Sequence, residues 1–176
     1  QGIALEPGAA RRDANIMVLT GESVTAIDRT NRVVQTATGR HVSYDVLALA
    51  TGSRAVVLRL PGNELPGVTA FRDLNDVRRL IAASGPGRRA VVIGGGLLGL
   101  EAAEGLRRRG MKVTVVHVAT ALMNRQLDMQ AAGLLQAELE SRGTEFVIGA
   151  ETAAILGVEQ VTGVALKDGR ILPADL

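Results

Sequence analysis

Gly94, Gly96 and Gly99 stand in the spacing G-x-G-x-x-G, and the chemistry such a spacing serves is the cradling of phosphate by bare backbone. Gly94 permits a tight turn, Gly96 lets the main chain approach a pyrophosphate with no Cβ between them, and Gly99 lets a helix pack closely on a strand. The spacing alone says little, so its setting decides. Ala90, Val91, Val92 and Ile93 precede it as a continuous apolar run, the pattern of a central parallel strand covered on both faces. Behind it Leu98, Ala102, Ala103 and Leu106 mark the buried side of a helix, Arg107, Arg108 and Arg109 gather at its negative end, and Gly110 stops it. A second apolar run over residues 113–118 completes a strand, turn, helix and strand within residues 89–118. Gly94, Gly95, Gly96, Leu97, Leu98 and Gly99 are therefore the candidate pyrophosphate-binding turn of a nicotinamide dinucleotide, set at a helix N-terminus whose dipole favours an anion.

About 20 residues beyond the glycines, an acidic side chain usually bonds the adenosine ribose of NAD. His117 stands there instead. A neutral imidazole can hydrogen-bond ribose hydroxyls without repelling a 2′-phosphate, and Arg125 could supply the positive charge that NADP calls for. The choice between NAD and NADP stays open at this point, as does a plainer reading in which His117 caps the strand and Arg125 is a solvated charge. Glu101 is expected in the first helical turn, where the dipole stabilises a carboxylate whatever else it does.

The elements that must hold this turn contain an internal repeat. LTGESVTAID, residues 19–28, resembles VIGAETAAIL, residues 147–156, with Gly21 facing Gly149, Ala26 facing Ala154 and Ile27 facing Ile155. Each copy runs into a hairpin, through Thr38-Gly39 and through Asp168-Gly169. Six residues past the turn glycine each reaches an aspartate and an apolar residue, Asp45-Val46 and Asp175-Leu176. The first copy is expected to continue as a strand over residues 46–50 into Thr51-Gly52-Ser53, preceded by a strand at Met17. The second copy stops where that strand would start, and the first lacks a strand, glycine turn and helix before it, so the chain reads as a segment of something longer.

Between the copies, residues 57–66 carry two prolines and Gly62, and Asp73 is placed to cap a helix with Leu74, Val77 and Ile81 on one face. Gly85-Pro86-Gly87 stops that helix. A further helix opens at Asp128 with Ala131, Leu135 and Leu139 inward and Glu138 and Arg142 outward, before a strand over residues 145–148. The fold class predicted is α/β, a three-layer Rossmann-like dinucleotide-binding fold with a parallel sheet and a β-meander, which the resemblance described below narrows to the FAD/NAD(P)-binding type.

Composition removes other classes. A net charge of +2, basic residues spread along the chain except at Arg107–Arg109, and only Tyr44, Phe71 and Phe146 as aromatics leave no basic, stacking surface for nucleic acid. Without cysteine these residues hold no redox dithiol and no iron–sulfur ligand set, and no metal site is expected. No apolar run reaches the roughly 18 residues of a membrane span, and no signal peptide opens the chain, so a cytoplasmic location is the expectation.

The strings VVIGGGLLGLEAAEGL, YDVLALATGSR and LPGNELPGVTAFRDLNDV together resemble the FAD-dependent pyridine nucleotide-disulfide oxidoreductase superfamily, over roughly residues 16–176. Within it, GGGLLGLEAA followed by VTVVHVATALMNRQLD is most similar to the N-terminal flavoprotein part of NAD(P)H-dependent nitrite reductase large subunits. Rubredoxin and ferredoxin reductases and NADH oxidases come next. The resemblance implies an FAD domain interrupted by an NAD(P) domain of the same topology. Residues 1–53 would be the C-terminal part of a truncated FAD-binding domain, 54–72 a linker, and 73–176 an NAD(P)-binding domain truncated at its last strand.

By the same resemblance Val24 lies beside the FAD adenine, Ala50, Thr51 and Gly52 pass the flavin, and Glu101 lies near the nicotinamide, orienting hydride transfer without performing it. No residue is expected to be catalytic in its own right. NAD(P)H is the cofactor of this segment and FAD that of the intact protein, since no second glycine motif for the FAD pyrophosphate stands in the N-terminal part. Electrons would pass to a downstream redox domain or subunit and towards nitrite reduction in nitrate assimilation, the isolated segment being inactive. A non-catalytic nucleotide-binding module is the reading of another class. Residues 6–15, EPGAARRDAN, are longer and more polar than the loop expected there.

Overall fold

The computed structural model describes residues 16–176, so the expectation about residues 6–15 lies outside them. The chain divides into two compact units, one through Gly52 and the other from Ser53 to Leu176.

In the first unit β1 (Val24–Asp28), β2 (Val33–Thr36) and β3 (His41–Ser43) form an antiparallel meander in that order. Thr36 N–H donates to Arg40 O across the turn at 3.0 Å, where Gly39 takes φ +83°. The strands expected at Met17 and over residues 46–50 are not formed. Residues 46–50 have the composition of a central strand, but a strand exists only through its partners. Among the described residues no backbone pairs with this run, and Val46 and Leu49 are left 89% and 69% exposed.

The second unit runs through α1 (Leu74–Ala83), β4 (Arg89–Ile93), α2 (Leu97–Arg108), β5 (Lys112–His117), α3 (Met129–Ser141), β6 (Thr144–Ile148), β7 (Thr152–Gly157), β8 (Val161–Leu166) and β9 (Ile171–Pro173). β4, β5 and β6 are parallel in sequence order, and β7, β8 and β9 form a second antiparallel meander. Alternation along the parallel strands sorts the core into two layers. Ala90, Val113 and Val115 pack with Leu80, Ala103 and Leu106 of the helices, whereas Val91, Ile93, Val116 and Val147 pack with Ile155, Val161 and Val164 of the meander. Both faces being covered, the strands need apolar residues at every position, which is why they read as unbroken runs. The fold is the expected three-layer α/β arrangement.

The two meanders repeat each other closely. Both show a register shift at the same place, between Val24 and Ala26 and between Thr152 and Ala154, and then pair Ala26 with Gln35 and Ala154 with Ala165. Gly39 N–H donates to Thr36 O, as Gly169 N–H does to Leu166 O, and Ala37 N–H donates to Ser23 O as Lys167 N–H does to Glu151 O. Burial differs: Ile155 is 9% exposed and its counterpart Ile27 is 38% exposed. The second meander lies on a sheet, and no such layer covers the first among the described residues.

The proline-bearing stretch before α1 is strapped to the second meander. Ile155 N–H donates to Pro61 O at 2.8 Å and Val161 N–H to Pro66 O at 2.9 Å, while Leu65 and Val68 pack into the meander core. α1 begins at Asp73, whose carboxylate accepts from the Asn75 and Asp76 amides in a reciprocal capping box with Asp76. Its buried face is Asp76 and Leu80, not the expected Leu74 and Ile81, which are 71% and 46% exposed. Burial of Asp76 is tolerated because the Arg72 and Asp73 amides and the Arg79 guanidinium satisfy its oxygens. Once that carboxylate points inward, the residue one turn on, Leu80, follows it. In α3 the residue buried most deeply is Ala132, with Ala131, Leu135 and Leu139 half-buried beside it.

At the C-terminal end of α2, Glu104 accepts from Arg107 Nε at 2.8 Å and from Arg108 Nε at 2.7 Å. These two guanidinium hydrogen bonds hold its carboxyl at about 2, below the ordinary 4.5. A carboxyl depressed by folding contributes stability above 4.5 that is lost as pH falls toward 2. Glu104→Gln is therefore expected to lower the unfolding free energy by ~1 kcal/mol at neutral pH, the solvent around Arg108 limiting the effect. Urea titrations repeated down the pH scale should show the gap between the two proteins closing through that window.

Candidate functional site

β4 delivers the chain into the glycine turn in the middle of the parallel sheet. Gly94 takes φ +124°, a conformation that L side chains rarely adopt, and its N–H donates to Val116 O of β5 at 2.8 Å. Gly99, in the first turn of α2, sits against the turn it follows: a Cβ there would lie 2.0 Å from Gly94 O. Gly96 is the N-cap of α2, in extended backbone with φ −86°, and a Cβ there would meet nothing within 4 Å. Gly94 thus makes the tight turn and Gly99 the close helix approach that the spacing predicts, and the Cβ direction of Gly96 faces open space.

A glycine cap offers no side-chain acceptor to the first turn of the helix. The amides of Gly96, Leu97, Leu98 and Gly99 donate to no acceptor among the described residues. Four N–H groups at the positive end of a 12-residue helix, beside a surface with no Cβ, are left free to donate to an anion. Leu97 and Leu98 are 57% and 37% exposed beside it, so Leu98 is less buried than its helical spacing suggested.

Gly95 is bound from both sides. Its carbonyl accepts from Met123 N–H at 2.9 Å, and its N–H donates to His117 Nδ1 at 3.1 Å. The residues after β5 are thereby bolted to the glycine turn: Ala121 and Leu122 are buried, Met123 takes φ +50°, and the Gln126 and Leu127 amides fold back onto Met123 O. Leu122 and Met123 were missed in the sequence; the one signal was an apolar pair directly before the polar run Asn124-Arg125-Gln126.

The remaining candidates are dispersed. His117 ends β5 with its ring under Gly95, and Nε2 is buried with no partner. Arg125 is exposed on the following turn and forms no ion pair or side-chain hydrogen bond among the described residues. Glu101 is exposed in the second turn of α2, not the first, because the helix is capped at Gly96 and starts at Leu97. One turn further into the helix, the Glu101 carboxylate gains less from the helix dipole. In the first unit Val24 is 57% exposed on β1, and Ala50, Thr51 and Gly52 lie exposed at its end with Gly52 at φ +71°. Among the described residues no cluster of three metal-ligating side chains exists, and no helix is long and apolar enough to cross a membrane.

A βαβ unit with a glycine-capped helix, backed by a β-meander that is repeated earlier in the chain, is the arrangement of the Rossmann-like FAD/NAD(P)-binding fold. The chain belongs to the pyridine nucleotide-disulphide oxidoreductase family, which it matches over residues 4–176. It is 49% identical over 162 residues to the nitrite reductase [NAD(P)H] of Bacillus subtilis, covering 92% of this chain and 20% of that enzyme. With the ferredoxin–NAD(+) reductase component of the Paraburkholderia xenovorans biphenyl dioxygenase system it shares 37% identity, covering 93% of this chain and 40% of the relative. Among solved structures, the covalent putidaredoxin reductase–putidaredoxin complex superimposes with a TM-score of 0.83 at 31% identity, covering 98% of this chain and 43% of that one. The chain thus spans about a fifth of the length of the nitrite reductase it resembles.

Proposed function

We propose that the Gly94–Gly99 turn binds the pyrophosphate of NADH or NADPH, in a protein that passes hydride equivalents from that cofactor to FAD and electrons onward to nitrite. The observation that carries the reading is the set of four undonated amides around a bare Gly96 at the head of α2. The residues present fit the group. Gly99 brings the helix end close enough to present its amides, and no side chain fills the space over Gly96.

In this reading the second unit is the NAD(P)-binding domain, reached through residues 54–72, and the first is part of an FAD-binding domain with Val24, Ala50, Thr51 and Gly52 toward the flavin. Glu101 serves the nicotinamide side. Arg125 serves the adenosine side, and with no carboxylate between Val118 and Leu127 a 2′-phosphate meets no repulsion there. Hydride exchange is chemistry that the nicotinamide and flavin supply when bound; this chain's residues bind and orient.

Nitrite as the terminal acceptor is supported by the 49% identity to the nitrite reductase, against 37% to the ferredoxin reductase. The deciding experiment is to purify the full-length protein and follow NADH and NADPH oxidation with an artificial dye, with nitrite and with a ferredoxin. Dye and nitrite reduction with bound flavin are the expected results. Reduction of ferredoxin but not nitrite would move the protein to the reductase branch, and cofactor binding with no dye reduction would make it a nucleotide-binding module.

A further inference from the structure

His117 stands where the ribose-reading residue is expected, yet its ring is committed elsewhere. Nδ1 accepts the Gly95 N–H at 3.1 Å, so the proton of the neutral ring resides on Nε2, which is buried without a partner. The ring also explains Gly95. A Cβ on Gly95 would lie 2.9 Å from His117 Cγ and 2.6 Å from Leu122 Cδ2, so this glycine is bare to admit a histidine and a leucine, whereas Gly96 is bare toward the ligand side. With Gly95 N–H taken by His117 and Gly95 O by Met123, the residue before the helix cap is fixed in both directions.

We infer that neutral His117 is a latch that sets the glycine turn for the cofactor pyrophosphate, and that a proton added to its ring opens the latch and weakens NAD(P)H binding. His117 is thus a positioning residue acting through Gly95. The inference rests on Gly94–Gly99 being the NAD(P)H site. An imidazolium has no acceptor, so Nδ1–H would face the Gly95 N–H donor to donor. Among the described residues no carboxylate bonds to the ring. On the turn packed against it, Arg125 is a cation; on β6, Glu145 accepts from Thr114 Oγ1 at 3.1 Å; past β6, Glu151 is paired with Lys167. None of them bonds to His117. Cofactor binding therefore favours the ring with Nδ1 free to accept, and a proton placed on Nδ1 removes the acceptor that holds Gly95.

Three proteins separate the latch from mere packing: the parent chain, His117→Asn and His117→Phe. Asparagine places Oδ1 at the same branch point as Nδ1, accepting the Gly95 N–H without titrating, whereas phenylalanine keeps a ring and loses the acceptor. NADH affinity would be measured from neutral pH down to about pH 5, with nitrogen NMR of the ring reporting its tautomer. In the parent the expected results are an unprotonated Nδ1 at neutral pH and an affinity falling roughly tenfold toward the acid end, as for one lost hydrogen bond to a buried donor. His117→Phe should be weak at every pH. His117→Asn should recover much of the neutral-pH affinity and show no acid limb. A protonated Nδ1 in the neutral ring, or an acid limb of equal size in His117→Asn, overturns the latch. An Nδ1 acceptor as expected, but no NADH binding at any pH, overturns the site assignment and the latch's link to affinity with it.

Discussion

A Gly96→Val chain is expected to fold and to lose at least about a hundredfold in affinity for both NADH and NADPH. Two or three hydrogen bonds from neutral amides to a charged phosphate, at roughly 1.5–3 kcal/mol each, account for a loss of that size. The fold survives because Gly96 already occupies extended backbone at φ −86° and ψ −178°, open to any L residue, and its Cβ direction is empty. The cost to stability is that of a poorer helix cap, about 1 kcal/mol at most, since valine ranks well below glycine at that position. Calorimetric titration with each cofactor and a melting curve of the same sample separate the two effects. A valine variant that binds as tightly as its parent would remove the pyrophosphate from this turn.

Much of this site was legible because local rules write it. The apolar runs of β4 and β5, the turn glycines and the basic end of α2 each follow from short-range chemistry, and the unit they build stands where the spacing put it. The repeat was legible for the same reason, as hairpin turns impose Thr38-Gly39 and Asp168-Gly169 whatever surrounds them. Where the sequence misled, the deciding partner was remote or carried no side-chain signal. Glu101 falls one turn later than expected because a glycine cap is invisible beside two other glycines. Residues 46–50 resemble a strand but pair with nothing among the described residues. His117 was placed correctly at the end of β5, but the direction of its ring depends on Gly95, 22 residues away, and no spacing rule links them.

The same limit explains the contrast between the meanders. Ile27 and Ile155 occupy matching positions in matching sheets, and only the second is buried. Local sequence sets the register and the bulge; the layer placed against the sheet sets the burial. A residue-by-residue pattern carries the first kind of information and not the second.

The other large effect is expected at Gly99, where two physical terms oppose each other within α2. Alanine is favoured over glycine inside a helix by about 1 kcal/mol, so Gly99→Ala should stabilise the chain if helix propensity decided. It does not decide, because the new Cβ would lie 2.0 Å from Gly94 O, whereas carbon and oxygen in contact need about 3.3 Å. The oxygen cannot retreat freely: Gly94 is held at φ +124° with its N–H bonded to Val116 O. Relief has to come from moving the head of α2 outward by about 1 Å, a strain of the kind that costs ~1–3 kcal/mol when cores are overfilled. Gly99→Ala is thus expected to lower stability by about 1–2 kcal/mol net and to weaken NADH binding as well, because the moved residues carry the free amides. Gly105 provides the control on the same helix. A Cβ there meets nothing within 4 Å, so Gly105→Ala should raise stability by roughly 0.5–1 kcal/mol through propensity alone and leave binding unchanged. Urea midpoints and NADH titrations of the two alanine variants, run side by side, test the close approach of helix to turn; if Gly99→Ala tracks Gly105→Ala in both, that approach is not what the third glycine is for.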